Sequence, residues 1–430
     1  MKNSVNNTVL SGLCCGCGVC KAICPKGCIS WDRKNGLYVP RIDAQQCVDC
    51  GLCAAVCPGL GHHYEPAATA EETVTGPVLA SFNAWGRDPE LRHVSASGGV
   101  VSTLIRELLS AGIYDSAFCL DTYDYRSQLK TRLYTAEEVA ANWHQSNAPK
   151  SRYLPVSHEN ALAYMKANRE ARLILVATPC ALRGLLSAIE KLKLNRHNYL
   201  LIGLFCDKVF NYNVLSYWQD LYCHGSTLAA LHFKNKESGG WPGDMKFFSE
   251  GKEPFYVPLN DRAKAKAYFM PERCLYCVDK LNVCADISLG DNYTTIYASE
   301  LGSNSVILRT HRGLDAWNAV QNHIESHPVN ITAIQNAQYL EGRLNNLYFS
   351  DIKMSCLCDG FDLNPGIPRE QNSSVFRQAW KTNLKKLHAG QVYDISPKKL
   401  QAQMRQDNKK SNPIVSFCKR SYHFLKRKLS

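Results

Sequence analysis

Long uninterrupted apolar runs are missing from this sequence of 430 residues: none approaches the roughly 18 residues that a bilayer span requires. The first twenty residues are too polar for the apolar core of an export signal, so a cytoplasmic protein is the expectation. No Gly-x-Gly-x-x-Gly follows a strand-like segment, which leaves a Rossmann-type nicotinamide site without support. No nucleic-acid-binding module is recognisable, so the net charge of +12 does not make nucleic acid an expected partner. Cysteine, in contrast, is abundant at 20 residues. Without an export signal, that number points to reduced thiols holding metal rather than to a disulfide scaffold. At 45% hydrophobic the chain can build a small module plus a larger domain with its own core, and is neither disordered nor fibrous.

Residues 1–66 are rich in Cys, Gly and Pro and read as one domain, and the small polar segment Ala67–Gly76 reads as a linker. Residues 77–345 alternate apolar runs with helical patterns, which predicts a mixed α/β domain; residues 346–430 form a C-terminal extension. Leu173–Ala177 (LILVA) reads as a buried strand, Thr178-Pro179-Cys180 as a turn, and Ala181–Leu192 as a helix with Leu182, Leu185, Leu186 and Ile189 on one face. Strand-like runs recur at Tyr199–Phe205, which ends on Cys206, and at Val306–Arg309. Ends of such strands are where α/β folds place ligands. A further amphipathic helix carries Val100, Val101, Leu104, Ile105, Leu108 and Leu109, and follows Ser95-Ala96-Ser97-Gly98-Gly99.

The one internal repeat is a doubled cysteine run. Cys14, Cys17, Cys20 and Cys24 before Pro25 spell C-x2-C-x2-C-x3-C-P, and Cys47, Cys50, Cys53 and Cys57 before Pro58 repeat it. Three closely spaced thiolates wrap one 4Fe-4S cubane, whereas the cysteine before proline ligates the other. Cys14, Cys17, Cys20 and Cys57 are therefore expected to hold one cluster, and Cys24, Cys47, Cys50 and Cys53 the second. Paired zinc knuckles are the competing reading, but zinc takes four ligands and has no use for the third cysteine and C-P ending of each run. Cys15 and Cys28 fit neither repeat and read as spare packing thiols.

Cys274 and Cys277 form an isolated C-x2-C, with Cys284 shortly after. Two ligands can grip a metal without completing its shell. Cys180 and Cys206, each at the end of an expected buried strand, are the best placed to complete a third 4Fe-4S cluster; ordinary buried core thiols are the bland alternative. Cys119, Cys223, Cys356, Cys358 and Cys418 lack partners at ligand spacing and are assigned no chemistry.

The ordered motifs CCGCGVCKAICPKGCISW, CVDCGLCAAVCPG, SASGGVVSTLI, SRY at 151–153, ATPCALRGL, GLFCDK, GGWPGDM and RCLYCVDKLNVCADISLGD carry a resemblance. Over most of residues 10–315 the chain resembles the family of coenzyme F-420 hydrogenase/dehydrogenase beta subunits, in its form with a fused N-terminal ferredoxin domain. The resemblance implies a flavoprotein in which FAD lies near a 4Fe-4S cluster and the ferredoxin domain wires it to a ferredoxin or another redox partner protein. Relatives oxidise the reduced deazaflavin or reduce tetrapyrroles such as 7-hydroxymethyl chlorophyll, so a deazaflavin or another small molecule is the implied substrate.

Carried onto this sequence, Ser95, Ser97, Gly98, Gly99 and Thr178 would approach the flavin, the Gly pair letting backbone N–H groups at a helix start meet a pyrophosphate. Ser151, Arg152 and Tyr153 match a family Ser-Lys-Tyr segment; Arg keeps the charge but changes the donor geometry. This segment reads either as an isoalloxazine or phosphate contact or as a solvated turn. Trp241, in Trp-Pro-Gly, reads as a ring-stacking wall on the substrate face or as an ordinary turn. Cys284 departs from the family pattern, and either replaces Cys180 or Cys206 as a ligand or is idle.

A flavin beside iron–sulfur clusters exchanges a hydride as an electron pair and passes electrons singly. The expected function is thus a flavin-dependent iron–sulfur oxidoreductase, with a non-catalytic electron-transfer subunit as the alternative. Nickel–iron cysteine pairs are missing, so hydrogen chemistry would need another subunit. Residues 401–430 carry eight Lys or Arg against one Asp. This basic tail reads either as solvated or as a short amphipathic helix resting peripherally on the inner face of an anionic membrane.

Overall fold

A computed structural model describes residues 4–60, 69–120, 127–146, 150–357 and 373–410. Most of the basic tail lies outside these residues. In the N-terminal module, β1 (Ile29–Lys34) pairs antiparallel with β2 (Leu37–Ile42) beside two short helices, Val19–Ile23 and Leu52–Ala55. Both helices start from a glycine of the repeated C-G-x-C, Gly18 at φ 78° and Gly51 at φ 73°. This left-handed backbone turns each cysteine loop sharply back on itself and suits only glycine without strain.

The larger part is built on an eight-stranded mixed sheet comprising β3 (Ala80–Gly86), β4 (Ser116–Leu120), β5 (Thr131–Thr135), β6 (Leu173–Ala177), β7 (Tyr199–Leu204), β11 (Ile287–Asp291), β12 (Asn304–Leu308) and β13 (Ile324–Pro328). Their order is β13-β3-β12-β11-β7-β6-β4-β5, with β11, β7, β6 and β4 mutually parallel and the outer pairs antiparallel. The parallel strands are covered on both faces, which is why LILVA and YLLIGL read as unbroken apolar runs. Side chains alternate across the sheet: Ile174, Leu200 and Ile202 meet helices Val100–Ser110 and His311–Val320. Leu173, Leu175, Tyr199 and Leu201 meet helices Glu159–Ala167 and Pro179–Lys191.

The N-terminal module docks on this second face. A Cβ at Gly184 would lie 3.2 Å from Val19 Cγ2 and 3.4 Å from Pro58 Cδ, so glycine there lets the module approach closely. A separate three-stranded antiparallel sheet, β8 (Leu228–Asn235), β9 (Asp244–Ser249) and β10 (Phe255–Val257), packs with helices Asn213–Tyr222, Leu259–Phe269 and Pro397–Lys410 around Trp218 and Phe233.

The segment expected to be a plain linker contains helix Ala70–Thr75. Thr69 Oγ1 accepts from Glu72 N at 3.1 Å while the Glu72 carboxylate accepts from Thr69 N at 3.0 Å. This capping box stabilises a helix that small polar composition alone does not announce. The position between residues 345 and 346, expected as a boundary, falls inside helix Leu340–Cys356. Among the described residues, no helix is long and apolar enough to cross a membrane.

Candidate functional site: three cysteine-lined cavities

The doubled cysteine run folds into two cavities of about 20 Å³ each. Cys14, Cys17, Cys20 and Cys57 line one; Cys24, Cys47, Cys50 and Cys53 line the other. The fourth cysteine of each run thus stands in the other run's cavity, as the spacing predicts. Among the described residues no three potential ligands converge on a single-ion site, and the thiols ring a space instead. That arrangement suits a cubane bound at its corners. Burial, and then neighbouring Cys57, push the Cys14 thiol up to about 12; burial also raises Cys20 and Cys57. Such desolvated thiols lose their protons to a metal rather than to water.

A third, open cavity of about 290 Å³ lies at the C-terminal ends of β6 and β7. Its volume is near the lower end of the range for small-molecule sites, about 300–1,000 Å³. One part of its wall holds Cys180, Cys206, Cys274 and Cys277. Cys180 sits in the first turn of helix Pro179–Lys191, with Thr178 Oγ1 3.7 Å from its sulfur. Asn282, fully buried, donates to Ala177 O at 3.0 Å and Leu204 O at 3.3 Å, tying both strand ends to the loop after Cys277. Gly203 leaves room for Asn282, since a Cβ there would lie 2.5 Å from Asn282 Cγ.

Arg343 braces this group from outside. Its guanidinium donates to Cys206 O at 3.2 Å, Cys277 O at 3.2 Å and Asp207 O at 2.7 Å. Sequence reading missed Arg343 because it lies beyond every cysteine motif, on helix Leu340–Cys356. Cys284 does not line this cavity; it stands near Arg183, Asp279 and Arg309.

Ser95, Ser97, Gly99, Ser151, Arg152, Tyr153 and Thr178 all line the same cavity. Ser95 Oγ donates to Leu91 O at 2.7 Å and Ser97 Oγ to Ser303 O at 2.9 Å, so these hydroxyls fix the loop's shape. Gly99, at φ 78°, opens helix Val100–Ser110. Tyr153 lies 5.5 Å from the Phe233 ring, with the Arg262 guanidinium 4.7 Å over it. Lys150, Lys208 and Lys234 add positive charge to the wall, and Lys234 is ion-paired with Asp291.

Two expected site residues do not line the cavity. Gly98 packs where a Cβ would meet Asn304 Oδ1 at 2.7 Å and Ala84 O at 2.9 Å. Trp241 packs near Gly302 and lies 5.9 Å from the Tyr293 ring, off the cavity lining. Gly98→Ala is expected to lower stability by about 1–3 kcal/mol through overpacking, read as a lower unfolding midpoint. An unchanged midpoint would mean that the strand and loop separate at no cost.

Two thiols expected to be spare are placed with the ligand candidates. Cys28 lines the second small cavity with its sulfur 3.4 Å from that of Cys24. Cys15 lines both the first small cavity and the large one. No spacing rule flags either residue.

Residues 81–163 and 170–332 match the N- and C-terminal parts of the family of coenzyme F-420 hydrogenase/dehydrogenase beta subunits. Residues 13–59 match a 4Fe-4S dicluster domain. The chain is 23% identical over 328 residues to a component of the F(420)H(2) dehydrogenase of Methanosarcina mazei, covering 76% of this chain and 87% of that one. It is 25% identical over 335 residues to coenzyme F-420-dependent sulfite reductase of Methanocaldococcus jannaschii, covering 74% of this chain but only 47% of that protein, about half its length. Its fold is similar to that of a chain in the xenon-derivatised F-420-reducing [NiFe] hydrogenase complex of Methanosarcina barkeri. That likeness has a TM-score of 0.50 at 18% identity, covering 67% of this chain and 97% of that one. These matches and the cysteine architecture define an iron–sulfur redox protein. The chain belongs to the family of coenzyme F-420 hydrogenase/dehydrogenase beta subunits and carries a fused 4Fe-4S dicluster domain.

Proposed function

We propose that this chain is an iron–sulfur flavoprotein that moves electrons between its ferredoxin-type module and a hydride donor or acceptor, either reduced coenzyme F-420 or another small organic molecule. The observation that carries this reading is the large cavity, in which four cysteines from separated segments share a wall with the Ser95–Gly99 loop and Ser151–Tyr153. Two clusters would be held by the crossed cysteine sets and a third by Cys180, Cys206, Cys274 and Cys277. FAD would lie along Ser95, Ser97, Gly99, Ser151, Arg152, Tyr153 and Thr178. Bound there, a flavin exchanges electrons in pairs with a hydride carrier and singly with iron–sulfur centres.

The chain's own contribution is binding and alignment. Gly99 opens a helix whose N-terminal N–H groups favour an anion such as a pyrophosphate. Arg152, Lys150 and Lys208 add cationic groups on the same wall. Asp291 holds Lys234 in place, and Tyr293 OH donates to the same carboxylate at 3.1 Å. The ferredoxin module would serve a protein electron carrier. The basic residues beyond 410 offer a peripheral contact with anionic lipid.

Relatives that are parts of larger enzymes or complexes favour a second reading, in which the chain transfers electrons but its substrate chemistry belongs to a larger assembly. The test is anaerobic purification, reconstitution, and iron and flavin counting, followed by addition of reduced coenzyme F-420. About twelve irons (three sites of four) and one flavin per chain are expected, with flavin and cluster absorbance bleaching together. If neither bleaches while a low-potential one-electron donor reduces both, the deazaflavin is the wrong partner. A chain that retains no flavin overturns the flavoprotein reading.

A further inference from the structure

Two side chains outside every ligand set stand where the first small cavity meets the large one. Cys15 follows Cys14 in the chain and lines both cavities, Cys17 beside it in each and Cys180 in the large one. Arg273 precedes Cys274, is only 5% exposed and lines the large cavity. Its Nη2 donates to Pro58 O at 3.3 Å, one residue past Cys57, and its Nη1 has no partner among the described residues. Each residue is thus bonded in sequence to one cysteine set and placed in space against the other. Arg273 sets a buried positive charge between the segment of Cys57 and the wall of Cys180, Cys274 and Cys277. Neither residue lines the cavity of Cys24, Cys47, Cys50 and Cys53.

We propose that Cys15 and Arg273 form the junction that sets the relative reduction potentials of the first ferredoxin cluster and the third cluster, and so biases the single electron passed between them. The inference rests on the three-cluster reading above. Cys15 stands outside both ligand sets, so its thiol is the one on this wall that can offer an S–H to a cluster sulfur rather than bind iron. Hydrogen bonds to cluster sulfurs and net charge nearby both tune such potentials. A donated S–H and a buried guanidinium each favour the form that has gained an electron, and therefore raise the potential. The electron leaves one site and enters the other, with no bond made or broken.

The test uses the full reconstituted chain as wild type, Arg273→Gln, Arg273→Lys, Cys15→Ala and Cys15→Ser. Iron is counted in each, and every site is titrated potentiometrically with detection by electron paramagnetic resonance. Arg273→Gln is expected to lower the potentials of the first and third sites, with at least one moved enough for a tenfold change in electron distribution, ~59 mV for a one-electron couple. Lysine should restore most of that shift by restoring the charge. Cys15→Ala should lower one or both of the same sites, and serine, which keeps a donor, should lower them less. The second ferredoxin site should not move. Potentials that stay put in every variant, or shift equally at all three sites, overturn the junction. A wild-type count near eight irons overturns the three-cluster reading itself, and the junction with it.

Discussion

Cys24→Ser is expected to strip iron from the site of the other cysteine run while leaving its own run's site loaded. Cys24 lines the cavity of Cys47, Cys50 and Cys53, not that of Cys14, Cys17 and Cys20. Cys57→Ser should do the converse, because Cys57 lines the first cavity with Thr8 Oγ1 3.5 Å from its sulfur. Each loss amounts to about four irons and one resonance signal. The two sites differ in burial, Cys50 being exposed and Cys17 and Cys20 buried, so their reduction potentials should differ and a potentiometric titration tells them apart. Cys28 stands 3.4 Å from the Cys24 sulfur in the same cavity, so any iron left in the single variant should go when Cys28 is removed as well. Cys24→Ser combined with Cys28→Ser is therefore the stringent form. If the double variant lost the first site's signal and kept the second's, each run would hold its own cluster and the crossed assignment would be wrong.

The crossed placement of Cys24 and Cys57 is legible in the sequence, because the C-P ending of each run assigns its fourth cysteine to the other run's cavity. The strands before Cys180 and Cys206 are legible for a similar reason, as short apolar runs ending in turn residues. Junction and brace are not. Cys15, Arg273 and Arg343 gain their positions from the packing of the ferredoxin module and helix Leu340–Cys356 on the sheet, and no periodicity encodes which distant cysteine a side chain will meet. For Trp241 the sequence leaves a ligand wall and an ordinary turn both open, because an aromatic beside glycines suits either, and its packing near Gly302, off the cavity lining, is set by a distant part of the chain. Helix Ala70–Thr75 was hidden because its small polar residues describe a linker equally well, and only the Thr69–Glu72 pairing decides the matter.

Arg183→Met is expected to destabilise the protein by about 3–5 kcal/mol, the usual cost of removing one partner from a buried ion pair. Arg183 Nη2 lies 2.9 Å from Asp279 Oδ2, and the two side chains are 4% and 2% exposed. Asp279 Oδ1 also accepts from Val283 N at 3.1 Å, so this carboxylate shapes the loop that runs from Cys277 through Asn282. Asn282 in turn holds the strand ends before Cys180 and Cys206. Removing the guanidinium strands a charge in the interior and loosens three of the four cysteine positions together. The loss should therefore appear both in anaerobic urea unfolding and as weaker iron retention at the third site, with the two ferredoxin sites still loaded. Replacing both partners, Arg183→Met with Asp279→Leu, leaves no stranded charge and should cost less than Arg183→Met alone in unfolding. Iron retention should not recover in the double variant, because Val283 N loses its acceptor as well. A single variant costing under about 1 kcal/mol, within the range of an exposed pair, would show that water reaches Asp279 and that the loop is held by Asn282 and Arg343 instead.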